Sequence, residues 1–238
     1  MTLNGRVAVV SGASGSLGNA ISRELAERGA NLALLDRDAD KLADITSKLQ
    51  ISDDRIITLP VDLLDASVVR LEEKALAGKF GRIDILLHLV GGWTGGKTIL
   101  ESTADELTFM LNKHIWTSFH VIQAFVPHLV RNSWGRVVMV TSPYGKHAGA
   151  KVGPFSIGKS GQNALMLALA QEIQGSAVTA NLLQVRTIDA RGEKAVAPSV
   201  ENSSWTSLDD LVGAILYLLS DEAKAVNGAI LPLHGAFY

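Results

Sequence analysis

Short apolar runs alternate with longer amphipathic segments along the whole chain. The runs are RVAVVSG (6–12), NLALLD (31–36), RIITLPVD (55–62), IDILLHLVGG (83–92), GRVVMVTS (135–142), AVTANLLQV (177–185) and a last one near 229–233. Between them apolar positions recur at helical spacing, ending near residues 29, 49 and 79, then covering the stretches near 103–130, 154–174 and 208–220. Runs of this length joined by helices are βαβ units, whose strands run parallel. The strand runs are almost continuously apolar rather than alternating, so helices must cover both faces. The pattern predicts an α/β fold with a doubly wound parallel sheet.

Composition narrows this to one core. The 238 residues are 47% hydrophobic and 19% charged, with no Pro/Gly/Ser-rich linker and no internal repeat beyond the βαβ rhythm, so residues 1–238 are read as a single domain. The least patterned stretch, TIDARGEKAVAPSVENSSWT (187–206), falls as a loop near the carboxyl ends of the strands, either a substrate cover or a plain surface connection. A net charge of -2 gives no footprint for nucleic acid, and no run reaches the ~18 apolar residues of a membrane span. Small molecules are the expected partners. The start MTLNGRVAVVSG enters a strand without a basic n-region, which points to the cytoplasm. The absence of cysteine excludes disulfides and thiolate catalysis, the six histidines show no metal-ligand spacing, and no G-x-S-x-G elbow is present.

The segment SGASGSLG (11–18) follows the first strand and opens the first helix. Gly12, Gly15 and Gly18 there allow a tight turn and bring backbone N–H groups to a pyrophosphate at a helix N-terminus. Eighteen residues after Gly18, Asp36 ends the second strand, where a carboxylate accepts from an adenosine ribose and repels a 2′-phosphate. Together they favour NAD, with NADH preferred; Arg37 leaves NADPH open, because its guanidinium can instead take up a 2′-phosphate. Asp62, after the third strand, meets the adenine amino group or caps the next helix. The fold expected is thus Rossmann-like. Further on, GPFSIGK (153–159) sets Phe155 and Lys159 on one helix face.

With these features placed, residues 4–236 resemble the short-chain dehydrogenase/reductase family, down to the closing VNGAILPLHG (226–235). The resemblance implies an NAD(P)-dependent oxidoreductase that forms a homodimer or homotetramer, with Ser, Tyr, Lys and Asn in its active site. By pattern Ser142 matches the serine and Lys159 the lysine. Phe155 stands where the family has tyrosine, and the asparagine position falls on or beside His114. HLVG (88–91) replaces the N-N-A-G turn, Ser16 the middle glycine of the phosphate loop, and QVRTID (184–189) a Pro-Gly segment. VGGWTGGK (90–97), KHIWTS (113–118), GASGSLG (12–18) and SSWTSLDDLV (203–212) resemble the dihydropteridine reductase branch in particular. The candidate cofactor site is Gly12, Ser14, Gly15, Ser16, Leu17, Gly18, Asp36, Arg37, Asp62, Gly91 and Lys159.

An alcohol or ketone needs a positioned acid, worth ~10²–10⁴-fold; a dihydropterin-like ring is electron-poor and takes its proton on nitrogen, so it tolerates Phe155. Trp93, among glycines, supplies a stacking wall for such a ring or covers core. Lys159 hydrogen-bonds the nicotinamide ribose or snorkels at the surface, Ser142 orients substrate or serves as a cap or turn serine, and Tyr144 either replaces the missing phenol or packs under its loop. His114 donates a proton to substrate or sits as a bonded core residue; His88 reads as structural. The expected function is an NADH-dependent reductase of a dihydropterin-like or other flat, electron-poor substrate. Two alternatives stand beside it: a carbonyl or alcohol oxidoreductase with Tyr144 as acid, and a non-catalytic dinucleotide-binding homologue. The Ala- and Leu-rich run 156–173 suits a helix buried on two sides, one against another subunit.

Overall fold

The apolar runs form the strands of one parallel sheet. A computed structural model describes residues 1–234. In chain order it contains β1 (Val7–Ser11), α1 (Ser16–Glu27), β2 (Asn31–Asp36), α2 (Ala39–Lys48), β3 (Ile56–Pro60), α3 (Ala66–Phe80), β4 (Ile85–His88), α4 (Ala104–Leu111) and α5 (Thr117–Arg131). There follow β5 (Gly135–Thr141), α6 (Gly153–Glu172), β6 (Val178–Gln184), β7 (Ile188–Asp189), α7 (Glu193–Val196), β8 (Thr206–Ser207), α8 (Leu208–Leu219) and β9 (Ile230–Pro232). The seven-stranded sheet has the order β3-β2-β1-β4-β5-β6-β9, with every pairing parallel. This is the Rossmann-like α/β architecture.

Alternate residues of each strand feed opposite cores. Val9, Leu86, Val137 and Met139 join one buried cluster, and Val10, Ile85, Leu87 and Val138 the other. Strand order reverses between β1 and β4, whose last residues Ser11 and His88 are paired. In an open α/β sheet that reversal splays the following loops and leaves a crevice for a ligand.

Three expectations change in detail. The helix expected over 103–130 breaks into α4 and α5, separated by a π-helical turn, Asn112–Trp116, in which Thr117 N–H reaches back to the Asn112 carbonyl. Hydroxyls provide the reason: Thr117 Oγ1 donates to the Lys113 carbonyl at 2.9 Å and Ser118 Oγ to that of His114 at 2.7 Å, drawing carbonyls out of the regular ladder. The fourth strand ends at His88 rather than near 92, because the glycines beyond it run as a loop. The stretch 187–206 is only partly loop. β7 pairs with β8, and buried Asp189 accepts from the N–H groups of Glu193 and Lys194 to start α7. Of the closing motif 226–235, Gly235 lies outside the described residues. No helix among the described residues is long and apolar enough to cross a membrane.

Candidate active site

The glycine loop is built to leave backbone exposed at the head of α1. Gly12 has φ +77, and a Cβ on it would lie 3.0 Å from Leu89 C and Val90 N; a Cβ on Gly18 would lie 2.3 Å from the Gly12 carbonyl oxygen. Only glycine fits either place. Gly15, at the N-cap of α1, offers no side-chain bond to the first turn, so its N–H groups are left for an anion. A group that the loop must approach closely, such as a pyrophosphate, is what this cradle accommodates.

Two cavities meet above this loop, one of about 400 Å³ toward β2 and β3 and one of about 690 Å³ toward β5 and α6. They share Gly12, Gly15, Leu89, Val90 and Gly91. Together they form the two-ended cleft that a dinucleotide needs. Asp36, Arg37, Asp62 and Lys113 line the first. Ser14 donates to Asp36 Oδ2 from its N–H at 3.0 Å and its hydroxyl at 2.6 Å, while Arg37 N–H takes Oδ1 at 2.8 Å. Ser14 therefore orients the carboxylate. Asp62 accepts from Leu64 N–H, and Asp65 is the residue that caps α3; the capping alternative for Asp62 is thus replaced by a place on the cavity wall.

The second cavity holds the other candidates. Ser142, at the end of β5, accepts from Tyr144 N–H at 3.3 Å, which leaves its own O–H to donate. Phe155 is buried, with its ring edge-on to His114 at 5.6 Å and to Tyr144 at 6.3 Å. Tyr144 and Trp93 both line this cavity and are 41% and 63% exposed, so each offers a ring face or edge to a ligand. Gly95 accommodates the folded indole: a Cβ there would lie 2.8 Å from Trp93 Cζ2. Trp116 is half-exposed against Phe119 and His120, away from both core and cavity.

His114 belongs to the cavity wall yet has no exposed surface. Its Nε2 lies 2.9 Å from the Gly92 carbonyl; a carbonyl only accepts, so the proton is on Nε2. Nδ1 is buried without a partner. Burial, with a smaller push from Lys159, lowers its pKa to about 3. The ring is neutral near pH 7 and anchors the Gly92–Trp93 loop, and the reading of His114 as an acid touching substrate gives way to that anchoring role. His88 is fully buried between Ser11 Oγ at 2.7 Å and Thr117 Oγ1 at 3.3 Å, and burial likewise pushes it down to about 3.

Lys159 lines the same cavity from α6 and is almost fully buried. Its Nζ donates to the Val140 carbonyl at 2.8 Å and to Gln162 Oε1 at 3.0 Å. Burial pushes its pKa down to about 7. Gln162 and Lys113 were not legible as site residues in the sequence. The available signal for Gln162 was an amide three residues after Lys159, on the same face of the helix.

Residues 6–200 match the family model described as short chain dehydrogenase. The chain belongs to the short-chain dehydrogenase family. Membership makes it an oxidoreductase of the nicotinamide-dinucleotide class. It is 25% identical to 1,6-dihydroxycyclohexa-2,4-diene-1-carboxylate dehydrogenase of Acinetobacter baylyi, covering 97% of this chain and 95% of that one. It is 28% identical to (2S)-[(R)-hydroxy(phenyl)methyl]succinyl-CoA dehydrogenase subunit BbsD of Thauera aromatica, covering 99% and 97%. Among solved structures the fold is shared with carveol dehydrogenase from Mycobacterium avium in complex with NAD, at TM-score 0.85, 23% identity and coverage of 97% and 96%. Levodione reductase matches at TM-score 0.87, 22% identity and coverage of 98% and 97%.

Proposed function

We propose that this short-chain dehydrogenase is an NADH-preferring reductase of a flat, electron-poor, dihydropterin-like substrate. The observation that carries the reading is the cavity lined by Trp93, Tyr144 and Phe155, in which an apolar ring stands where the family resemblance calls for a phenol. The cofactor, when bound, supplies hydride from its reduced nicotinamide. Gly12, Gly15 and the head of α1 would hold its pyrophosphate, Asp36 its adenosine ribose and Lys159 its nicotinamide ribose. Trp93 presents a face for stacking a planar ring, and the free Ser142 O–H donates to a heteroatom of that ring. Such a substrate demands orientation more than acid catalysis, and orientation is worth ~7–11 kcal/mol in well-fitted cases.

The test is NADH oxidation by the purified protein with a tetrahydropterin oxidised in situ, against a protein-free control, since that substrate also reacts unaided. Saturable acceleration is expected, with Trp93→Ala reducing kcat/KM by about tenfold or more, the equivalent of 1.4 kcal/mol of lost stacking. NADH binding without acceleration would remove this reading. Tyr144 supports a second one, because its ring reaches the cavity beside Phe155. In that case ketone reduction, not pterin reduction, is the activity, and Tyr144→Phe abolishes it. The names of the two dehydrogenase relatives denote hydroxyl-bearing substrates, which favours the same alternative.

Cofactor choice rests on Asp36 against two neighbouring cations, Arg37 and Lys113, which line the same end. Removing the carboxylate leaves a corner suited to a 2′-phosphate. Asp36→Ala is expected to weaken NADH and strengthen NADPH, each by about tenfold, as read by nucleotide fluorescence titration; an unchanged ratio would remove Asp36 from the preference. By family habit the assembly proposed is a homodimer or homotetramer, to be read from light scattering.

A further inference from the structure

Lys159 is the buried ammonium of the cavity, and among the described residues no carboxylate holds it. Its recorded acceptors are neutral: the Val140 carbonyl at 2.8 Å and Gln162 Oε1 at 3.0 Å. Gln162 is itself fully buried one turn further along α6. Its other end, Nε2, donates to Ser118 Oγ at 3.1 Å, and Ser118 donates to the His114 carbonyl at 2.7 Å in the π-helical turn.

The direction of this chain is fixed by elimination. A backbone carbonyl can only accept, so the single Ser118 proton is spent on His114 and Ser118 Oγ can only accept from Gln162. The carboxamide must therefore turn its NH2 toward α5 and its oxygen toward Lys159. Reversed, the amide would press its NH2 against the ammonium and leave two donors without acceptors, a costly arrangement in a buried place. The π-helical turn thus dictates which end of a distant amide faces Lys159. Of the three N–H groups of a protonated Lys159, two are taken by these carbonyls and one is left for a ligand.

We propose that Gln162 is a positioning residue that supplies the acceptor stationing the Lys159 ammonium at the cavity, and that Ser118 sets the orientation of its carboxamide. The inference deepens the reading of the cleft as a nicotinamide site and rests on it only for the identity of the ligand that Lys159 meets. The other groups about Lys159 are His88 of β4 and His114 of the π-helical turn, both neutral near pH 7, with Tyr144 and Arg186 on the same cavity wall. On the other elements packed against α6, Asp105 of α4 is exposed, Glu106 is tied to Lys97, and His120 of α5 turns to the Leu63 carbonyl. None of these supplies a counter-charge that would mask an effect at Gln162.

The experiment follows the Lys159 side chain directly, by NMR titration of lysine-labelled protein without ligand, with Lys159→Met identifying its signal. Burial sets the starting point near 7. Gln162→Glu, which keeps the acceptor and adds a charge, is expected to raise the Lys159 midpoint by at least about one pH unit, in the range for an opposite charge at this distance. Gln162→Met, near in shape but without an acceptor, is expected to lower it, and Ser118→Ala to lower it less by releasing the amide to flip. Midpoints that stay put while the melting temperature falls would mean that Gln162 only fills space, and shifts in one common direction would equally overturn the proposal. NADH titration of the same variants separates the two claims. Weakening of about threefold to tenfold in Gln162→Met at pH 8 supports both. Opposite midpoint shifts in a protein that binds no NADH would keep this inference and remove the cofactor reading.

Discussion

Gly18→Ala is expected to abolish useful dinucleotide binding while leaving the sheet intact. The added Cβ would stand 2.3 Å from the Gly12 carbonyl oxygen and 2.8 Å from Ala13 Cα and the Ala13 carbonyl oxygen, all backbone atoms, so the loop and the head of α1 must move apart. Overpacking of this kind costs roughly 1–3 kcal/mol of stability. The same movement misplaces the N–H groups that face the anion, so NADH affinity should fall at least about tenfold. Gly78→Ala is the matched control. It lies within α3, a Cβ there would have nothing within 4 Å, and replacing a helical glycine is worth roughly 0.5–1 kcal/mol in its favour. Fluorescence titration with NADH and urea denaturation of both variants check the pair; equal behaviour of the two would show that the loop does not need its third glycine.

Lys159→Met should separate activity from stability. Loss of the cavity ammonium is expected to lower kcat/KM by ~10²–10³-fold, the range for removing one preorganised charge or donor. Stability responds in the opposite sense with pH. The folded lysine gives up its proton near 7, whereas the unfolded one keeps it to 10.5. Between those values the unfolded state holds more protons, so raising the pH stabilises the folded wild type, by at most about 1.4 kcal/mol per pH unit. Below the window both states are protonated and the contribution is flat. The Met variant lacks this contribution altogether, so its urea midpoint should change less than the wild type's between pH 7 and 9. A wild-type midpoint that falls as steeply as it is expected to rise would contradict a buried, depressed lysine.

The two variants bear on different questions. Gly18 tests whether the cleft takes a dinucleotide, and Lys159 tests whether the far end of that cleft does chemistry with Phe155 in place. A chain that passed the first and failed the second would be a non-catalytic dinucleotide-binding homologue. The presence of a donor-competent Ser142 and a lysine poised near neutrality is what argues for turnover.

The sequence by itself determined the sheet, the glycine loop and the acidic end of β2. Those features are local: strand runs, helical spacing and a loop lying between a strand and a helix are all written within a few residues of one another. That Ser142 and Lys159 share a site was implied by the family resemblance, and both line the same cavity. Only the tertiary structure shows what His114, Gln162 and Ser118 bond to. A histidine on a helix reads the same from sequence whether it faces substrate or a carbonyl, and the Gly92 carbonyl that claims its proton is 22 residues away. Gln162 and Ser118 meet across two helices separated by 44 positions, a contact with no sequence periodicity to announce it. The π-helical turn escaped for a related reason. Its apolar spacing continues the helix, and it is the side-chain hydroxyls of Thr117 and Ser118, bonded in three dimensions to backbone carbonyls and buried partners, that interrupt it.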